Sequence, residues 1–258
     1  MSASSRTDRR QWRFTAPDGV TLAVHEVGQE SGRPLILLHG LFSDADTNWM
    51  KYGHASLLAG HGFRVVMPDL RGHGESDRPH AAAAYPPDVL ADDALALIAH
   101  FGFGDYDLGG YSLGARTVVR ALVRGAGPRR AIIAGMGLNG LVDTARRGGH
   151  FRHVLEGIGT HQRGSEAWMA EQFLKTTGSD PKALLPLLDS FVDTSADEVV
   201  AIATPVLVVS GAEDQDNGSA EALADVLPDA RYHEVPGNHM SAVTRRELGE
   251  AIADFLTA

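Results

Sequence analysis

Apolar and polar positions follow two rhythms along the chain, and the rhythm switches at regular intervals. Residues 12–15 and 20–27 alternate around Pro17-Asp18-Gly19, which predicts a hairpin on an Asp-Gly turn. Residues 34–38 form a continuous apolar run ending in His39-Gly40, the pattern of a strand buried on both faces. Similar short runs over 63–67, 106–109, 130–135, 204–211 and 231–235 predict further strands. Helical spacing of apolar residues between them predicts helices over 49–59, 85–101, 113–123, 219–227 and 241–256. Strands alternating with helices predict an α/β domain with a mostly parallel sheet.

The alternation fails in two places. Residues 1–11 are polar, carry Arg6, Arg9 and Arg10, and are followed by no apolar stretch; they read as a disordered tail and not as a signal peptide. Residues 12–258 then form a single domain. From about 138 to 196 the chain is richer in charge, holds Arg146-Arg147-Gly148-Gly149-His150, and shows short helical pieces with no strand, which predicts an inserted lid.

Composition narrows the function classes. Apolar residues make up 43% and charged residues 22%, as in ordinary globular domains, and 258 residues supply one large core. The net charge of −10 argues against nucleic acid or an anionic membrane as partner. No apolar run is long enough to span a bilayer. The absence of cysteine excludes disulfides, a thiol nucleophile and a thiolate metal site, and leaves a cytoplasmic location as the expectation.

The stretch that carries chemistry is Gly110-Tyr111-Ser112-Leu113-Gly114, between the predicted strand 106–109 and the predicted helix 113–123. A serine on so sharp a turn takes strained dihedrals, and side chains two positions before and after it would collide, hence the two glycines. The pentapeptide alone is weak evidence; its place between strand and helix gives it weight. A serine hydroxyl needs a base, a group that orients the base, and donors for the oxyanion.

With these residues the chain resembles the α/β-hydrolases, in which serine, acid and histidine follow in that order on loops after strands. The resemblance runs from about residue 14 to the end and is thinnest in the lid. It implies a mostly parallel, doubly wound mixed sheet of about eight strands with a helical lid insertion, in a serine esterase-like member. It points to Asp214 in Gly211-Ala212-Glu213-Asp214 as the acid, with Glu213, Asp216 and Asp143 as competitors. The base is His239 in Pro236-Gly237-Asn238-His239, after the last strand. The oxyanion donors are the backbone amides of Leu113 and, from the His-Gly-x loop, Leu41, with Phe42 as runner-up. His39 and the loop from Asp69 to Asp77 resemble further family signatures and read as structural, their polar groups satisfying loop backbone.

Phe42, Tyr111, Met136, Trp168 and Met240 are expected to line the substrate pocket, an apolar set suited to a small or medium apolar ester. The expected activity is that of a carboxylesterase working through an acyl-enzyme on Ser112, with a small-molecule ester as its partner and with no cofactor, metal, nucleic acid or membrane. Homo-oligomerisation is left open. A C–C bond hydrolase or cofactor-free perhydrolase with the same triad is the alternative within enzymes, and a non-catalytic ligand receptor on a hydrolase scaffold the alternative outside them. His150, His153, His161 and Asp143 read as solvated lid surface and not as metal ligands. The glycine-rich stretch 135–140 has no phosphate-cradle pattern.

Overall fold

Eight strands form one sheet in the computed structural model, which describes residues 9–258. They are β1 (Arg9–Thr15), β2 (Thr21–Val27), β3 (Arg33–Leu38), β4 (Phe63–Pro68), β5 (Asp107–Tyr111), β6 (Ala131–Ala134), β7 (Val206–Gly211) and β8 (Ala230–Val235). Their order in the sheet is β1-β2-β4-β3-β5-β6-β7-β8. The β1–β2 and β2–β4 pairs are antiparallel and all others parallel, so the sheet is mostly parallel and doubly wound about β3.

Side-chain alternation along the central strands divides two cores, one on each face. Ile36 and Leu38, Ala131 and Ile133, and Val206 and Val208 face one core. Leu35 and Leu37, Ile132 and Ala134, and Leu207 and Val209 face the other. Leu35 through Leu38 are fully buried, as a continuous apolar run predicts. The edge strand β8 exposes Tyr232, His233 and Glu234, which discourages further strand pairing.

The helices are α1 (His54–Gly60), α2 (Val89–Phe101), α3 (Leu113–Val123), α4 (Leu138–Val142), α5 (Thr144–Glu156), α6 (Glu166–Thr177), α7 (Pro181–Asp189), α8 (Ala196–Val200), α9 (Ala220–Val226), α10 (His239–Ala242) and α11 (Arg246–Thr257). Helices α2 and α3 cover the first core, α1 and α11 the second. Helices α4 to α8 form a helical insertion between β6 and β7, with no strand among them.

Several expectations need correction. Residues 9–11, read as tail, belong to β1, because Arg10 reaches Glu26 across the hairpin (3.0 Å) and Gln11 reaches Glu75 (2.6 Å). Residues 1–8 of that tail lie outside the described residues. The helix expected over 49–59 is two pieces, a π-helical turn Asp46–Met50 and then α1, separated at Gly53 with φ +85°. Helix α2 begins four residues late, after Pro86-Pro87. The helix expected over 241–256 is also two, α10 and α11; the Val243 carbonyl between them accepts a hydrogen bond from His54 Nε2 (2.7 Å).

Candidate active site

Ser112 sits between β5 and α3 with φ 54° and ψ −110°, a left-handed strain that few non-glycine residues bear. Its amide donates to the Ala134 carbonyl (2.8 Å), which ties the turn to β6. A Cβ at position 110 would lie 2.2 Å from the Gly114 carbonyl carbon, and one at position 114 would lie 2.1 Å from the Leu38 carbonyl oxygen. The two glycines are thus demanded for different reasons: Gly110 lets the turn close on itself, and Gly114 lets α3 press against the end of β3.

Strand order then assembles the site. Leu38 pairs with Gly110, so His39-Gly40 runs beside Tyr111-Ser112; β7 and β8 bring the loops after them to the same end of the sheet. His239 Nδ1 donates to Asp214 Oδ2 (2.8 Å), which leaves Nε2 to accept from the Ser112 hydroxyl (3.0 Å). Both partners of the His239–Asp214 bond are buried, and Ser112 is partly exposed. Asp214 Oδ1 is fixed by the Asp216 amide (3.1 Å). Asn238 caps α10 through the Met240 and Ser241 amides and so fixes the start of the helix that carries His239.

The competing acids lie elsewhere. Glu213 is exposed, Asp143 caps α5, and Asp216 holds Arg147 (2.9 Å). Asp214, Asp216 and His239 do offer ligand atoms within 4.8 Å of one another, the one such group of three among the described residues. Each already has a partner: His239 with Asp214, and Asp216 with Arg147.

Beside Ser112, where a Cβ on Gly40 would lie 3.5 Å from the serine Cβ, the Gly40 amide donates to buried Asn48 Oδ1 (3.0 Å), which holds the loop after β3 in place. The amides of Leu41 and Leu113 have no acceptor among the described residues. Leu113 opens α3, where amides have no partner within the helix. Phe42 takes φ 60°, is buried, and stacks edge-on to Phe151 of α5 at 5.3 Å.

Of the expected pocket residues, Met136 is buried, Trp168 is half-buried and Met240 is exposed. Tyr111 needs correction. As the last residue of β5 its side chain falls on the α1 and α11 face, where its hydroxyl donates to the His239 carbonyl (2.7 Å). It supports His239 from beneath and does not line a substrate pocket.

The loop after β4 behaves as its sequence suggests. Asp69 accepts from the Ala45 and Glu75 amides (2.8 Å each) and pairs with His25 (3.3 Å). Burial pushes the Asp69 carboxyl up, but these bonds and the field of His39 outweigh it and hold it at about 2. His39 Nε2 accepts from the Leu70 amide (2.8 Å), and Arg71 is bonded to both oxygens of Asp93 (2.7 and 3.0 Å).

Sequence reading missed two arginines. Arg116 on α3 and Arg147 on α5 both keep buried guanidinium nitrogens without an acceptor among the described residues. For Arg116 the signal was available: a charged residue one turn after the serine, within a helix otherwise small or apolar up to Arg120.

A family model described as alpha/beta hydrolase fold matches residues 33–133. The AB hydrolase superfamily protein YfhM of Bacillus subtilis is 38% identical over 88 residues, 34% of this chain and 30% of that protein. This chain spans about a third of the length of the first curated relatives it matches. A hydrolase from Pseudomonas aeruginosa PA01 superposes with a TM-score of 0.78 at 20% identity, over 100% of each chain. A thermophilic esterase from Thermogutta terrifontis superposes with a TM-score of 0.75 at 24% identity, over 96% of this chain and 98% of that one. The sheet order, the strained serine turn and the family model matched over residues 33–133 agree, and the chain has the α/β-hydrolase fold.

Proposed function

We propose that the protein is a serine hydrolase that cleaves a small or medium carboxylic ester. The observation that carries this reading is the chain of two hydrogen bonds from Asp214 through His239 to Ser112, 2.8 and 3.0 Å long. In the proposed reaction His239 Nε2 takes the Ser112 proton as Oγ attacks the ester carbonyl carbon. Asp214 holds the histidine in the tautomer that can accept this proton and stabilises the imidazolium that forms. The Leu41 and Leu113 amides receive the oxyanion. Collapse of the tetrahedral intermediate breaks the ester C–O bond, and the imidazolium gives its proton to the departing alcohol. Water then attacks the acyl-enzyme with His239 again as base, releasing the acid and restoring Ser112. Phe42 and Met136, which share one apolar cluster, are the wall proposed for the body of the acyl group, with half-buried Trp168 and the helical insertion as its cover.

Intact mass after incubation with a fluorophosphonate, together with hydrolysis of p-nitrophenyl acetate and butyrate, tests this reading. A single adduct on the wild type, absent from Ser112→Ala, is expected. By analogy with measured triads, Ser112→Ala and His239→Ala should each lose about six orders of magnitude in kcat, and Asp214→Asn somewhat less. Wild type that takes no adduct and turns over neither ester overturns the reading. Activity kept by Asp214→Asn but lost in Asp216→Asn would move the acid.

A further inference from the structure

Arg116 stands one helical turn beyond Ser112; its amide donates to the Ser112 carbonyl (3.0 Å). Helical side chains lean toward the N-terminus, so a long side chain at this position covers the turn that carries the serine. The residue is only 6% exposed. Its Nε and Nη1 are enclosed without an acceptor, and the whole guanidinium makes no hydrogen bond among the described residues. The ring of Phe191 lies 4.9 Å from its central carbon.

The same fold shows what a structural arginine looks like. Arg71 is 1% exposed and donates to Asp93, Asp18 and the Ala84 carbonyl. Arg116 has no such set. The carboxylates in its neighbourhood are engaged with other donors: Asp88 with Arg120, and Asp193 with the Thr144 amide (2.8 Å). Burial and the charge of Arg147 pull the Arg116 guanidinium down, against the attraction of Asp193, to about 10, so it is still a cation at neutral pH. An unpaired buried cation is costly, and five directed donors with no acceptor are the complement of a carboxylate.

Space and surroundings define the ligand further. A crevice of about 20 Å³ lies against Leu113, Arg116, Thr117 and Phe191, with the Asp88–Arg120 ion pair also on its wall, room for one or two oxygen-sized groups. Its wall includes Leu113, whose amide receives the acyl oxygen in the reaction proposed above. A guanidinium on α5 lies near enough to repel Arg116: Arg147 holds Asp216 with one nitrogen and keeps its buried Nε without an acceptor. A phosphate would be too large for the crevice and, doubly charged, would be repelled more strongly by Asp88 on its wall and by Asp193 nearby. A singly charged, planar carboxylate fits both limits.

We propose that Arg116 binds a carboxylate at the far end of the acyl group, so that the enzyme hydrolyses monoesters of short dicarboxylic acids. This rests on the serine-hydrolase reading and narrows its substrate: apolar walls hold the body of the chain, and a buried cation holds its end.

The test compares kcat/KM for mono-p-nitrophenyl succinate, glutarate and adipate with p-nitrophenyl butyrate, pentanoate and hexanoate, for wild type, Arg116→Met and Arg116→Lys. Wild type should prefer at least one carboxylated ester by about tenfold or more over its neutral counterpart. That ratio should fall by about ten- to a hundredfold in Arg116→Met, mostly through KM, and partly recover in Arg116→Lys. Removing a lone buried charge should leave the Arg116→Met melting temperature at or above that of wild type, whereas loss of a structural ion pair would lower it. Should a variant fold poorly, the wild-type ratio and competitive inhibition by free glutarate still decide the matter. Wild type that takes the fluorophosphonate and hydrolyses neutral esters with no carboxylate preference overturns this proposal alone, as does a preference that survives in Arg116→Met. Wild type with neither adduct nor turnover overturns the hydrolase reading and this proposal with it.

Discussion

Gly114→Ala adds one methyl group at the point where α3 meets β3. Its Cβ would fall 2.1 Å from the Leu38 carbonyl oxygen, 2.5 Å from the Leu38 carbonyl carbon and 2.8 Å from the His39 carbonyl oxygen. Ordinary carbon–oxygen contact needs roughly 1 Å more than the closest of these, and all three atoms are backbone, so no side chain can swing aside. The opening must be taken up by the first turn of α3 or the end of β3, whose Leu38 is paired with Gly110 in the sheet. That turn carries Ser112 and the Leu113 amide. A displacement of about 1 Å in a reacting group costs on the order of a hundredfold in rate, and forcing a methyl into a packed interior costs about 1–3 kcal/mol. We therefore expect Gly114→Ala to be folded but destabilised by about 1–3 kcal/mol, with kcat on p-nitrophenyl butyrate and the rate of fluorophosphonate labelling both reduced about a hundredfold. Denaturant melts, steady-state kinetics and timed intact-mass measurements on one preparation give all three quantities. A variant labelled and turning over within about threefold of wild type would refute the claim that this contact positions the nucleophile, since the chemistry would then tolerate the displacement.

Two further outcomes follow from packing and charge. Gly149, inside α5, would place a Cβ in open space, so Gly149→Ala should raise stability by about 0.5–1 kcal/mol and leave ester hydrolysis as it is; a lower melting point would contradict the open surroundings. Burial and the neighbouring His39 pull the His73 imidazole down to about 3, and burial also lowers His39, against the field of Asp69. A histidine with its folded value depressed stabilises the fold fully above about pH 6.5 and loses that contribution as pH falls toward 3; by pH 5 His73 alone withdraws about 2 kcal/mol. Asp69, held at about 2, loses its contribution only below about pH 4, so it does not mask this window. Urea melts at pH 7.5 and 5.0 should show the drop, and an equal drop in His73→Gln would assign it to other groups.

Local sequence determined the elements whose signals are local. The period-two alternation around Pro17-Asp18-Gly19, the fully apolar run at 34–38, and the glycine pair around Ser112 each dictate a backbone path by steric and burial rules acting within a few residues. The order of serine, acid and histidine along the chain was legible for the same reason, through the loops that follow apolar strands. Tertiary structure decided whatever depends on residues distant in sequence. Asp214, and not Glu213, Asp216 or Asp143, meets His239 because β7 lies beside β8 and the turn after β7 aims one carboxylate of several inward. Tyr111 left the expected pocket because the face of β5 on which it falls is covered by α1 and α11. Strand β1 took in polar Arg9 to Gln11 because Glu26 and Glu75 supply distant partners for Arg10 and Gln11. The state of Arg116 is the extreme case. The sequence marks it only as a charge among small and apolar residues one turn after the serine; the packing of Phe191 and the prior engagement of Asp88 and Asp193 leave it buried with its donors unfilled. Burial and pairing are properties of the assembled neighbourhood, since the energy of a charge depends on what surrounds it and not on its position in the chain.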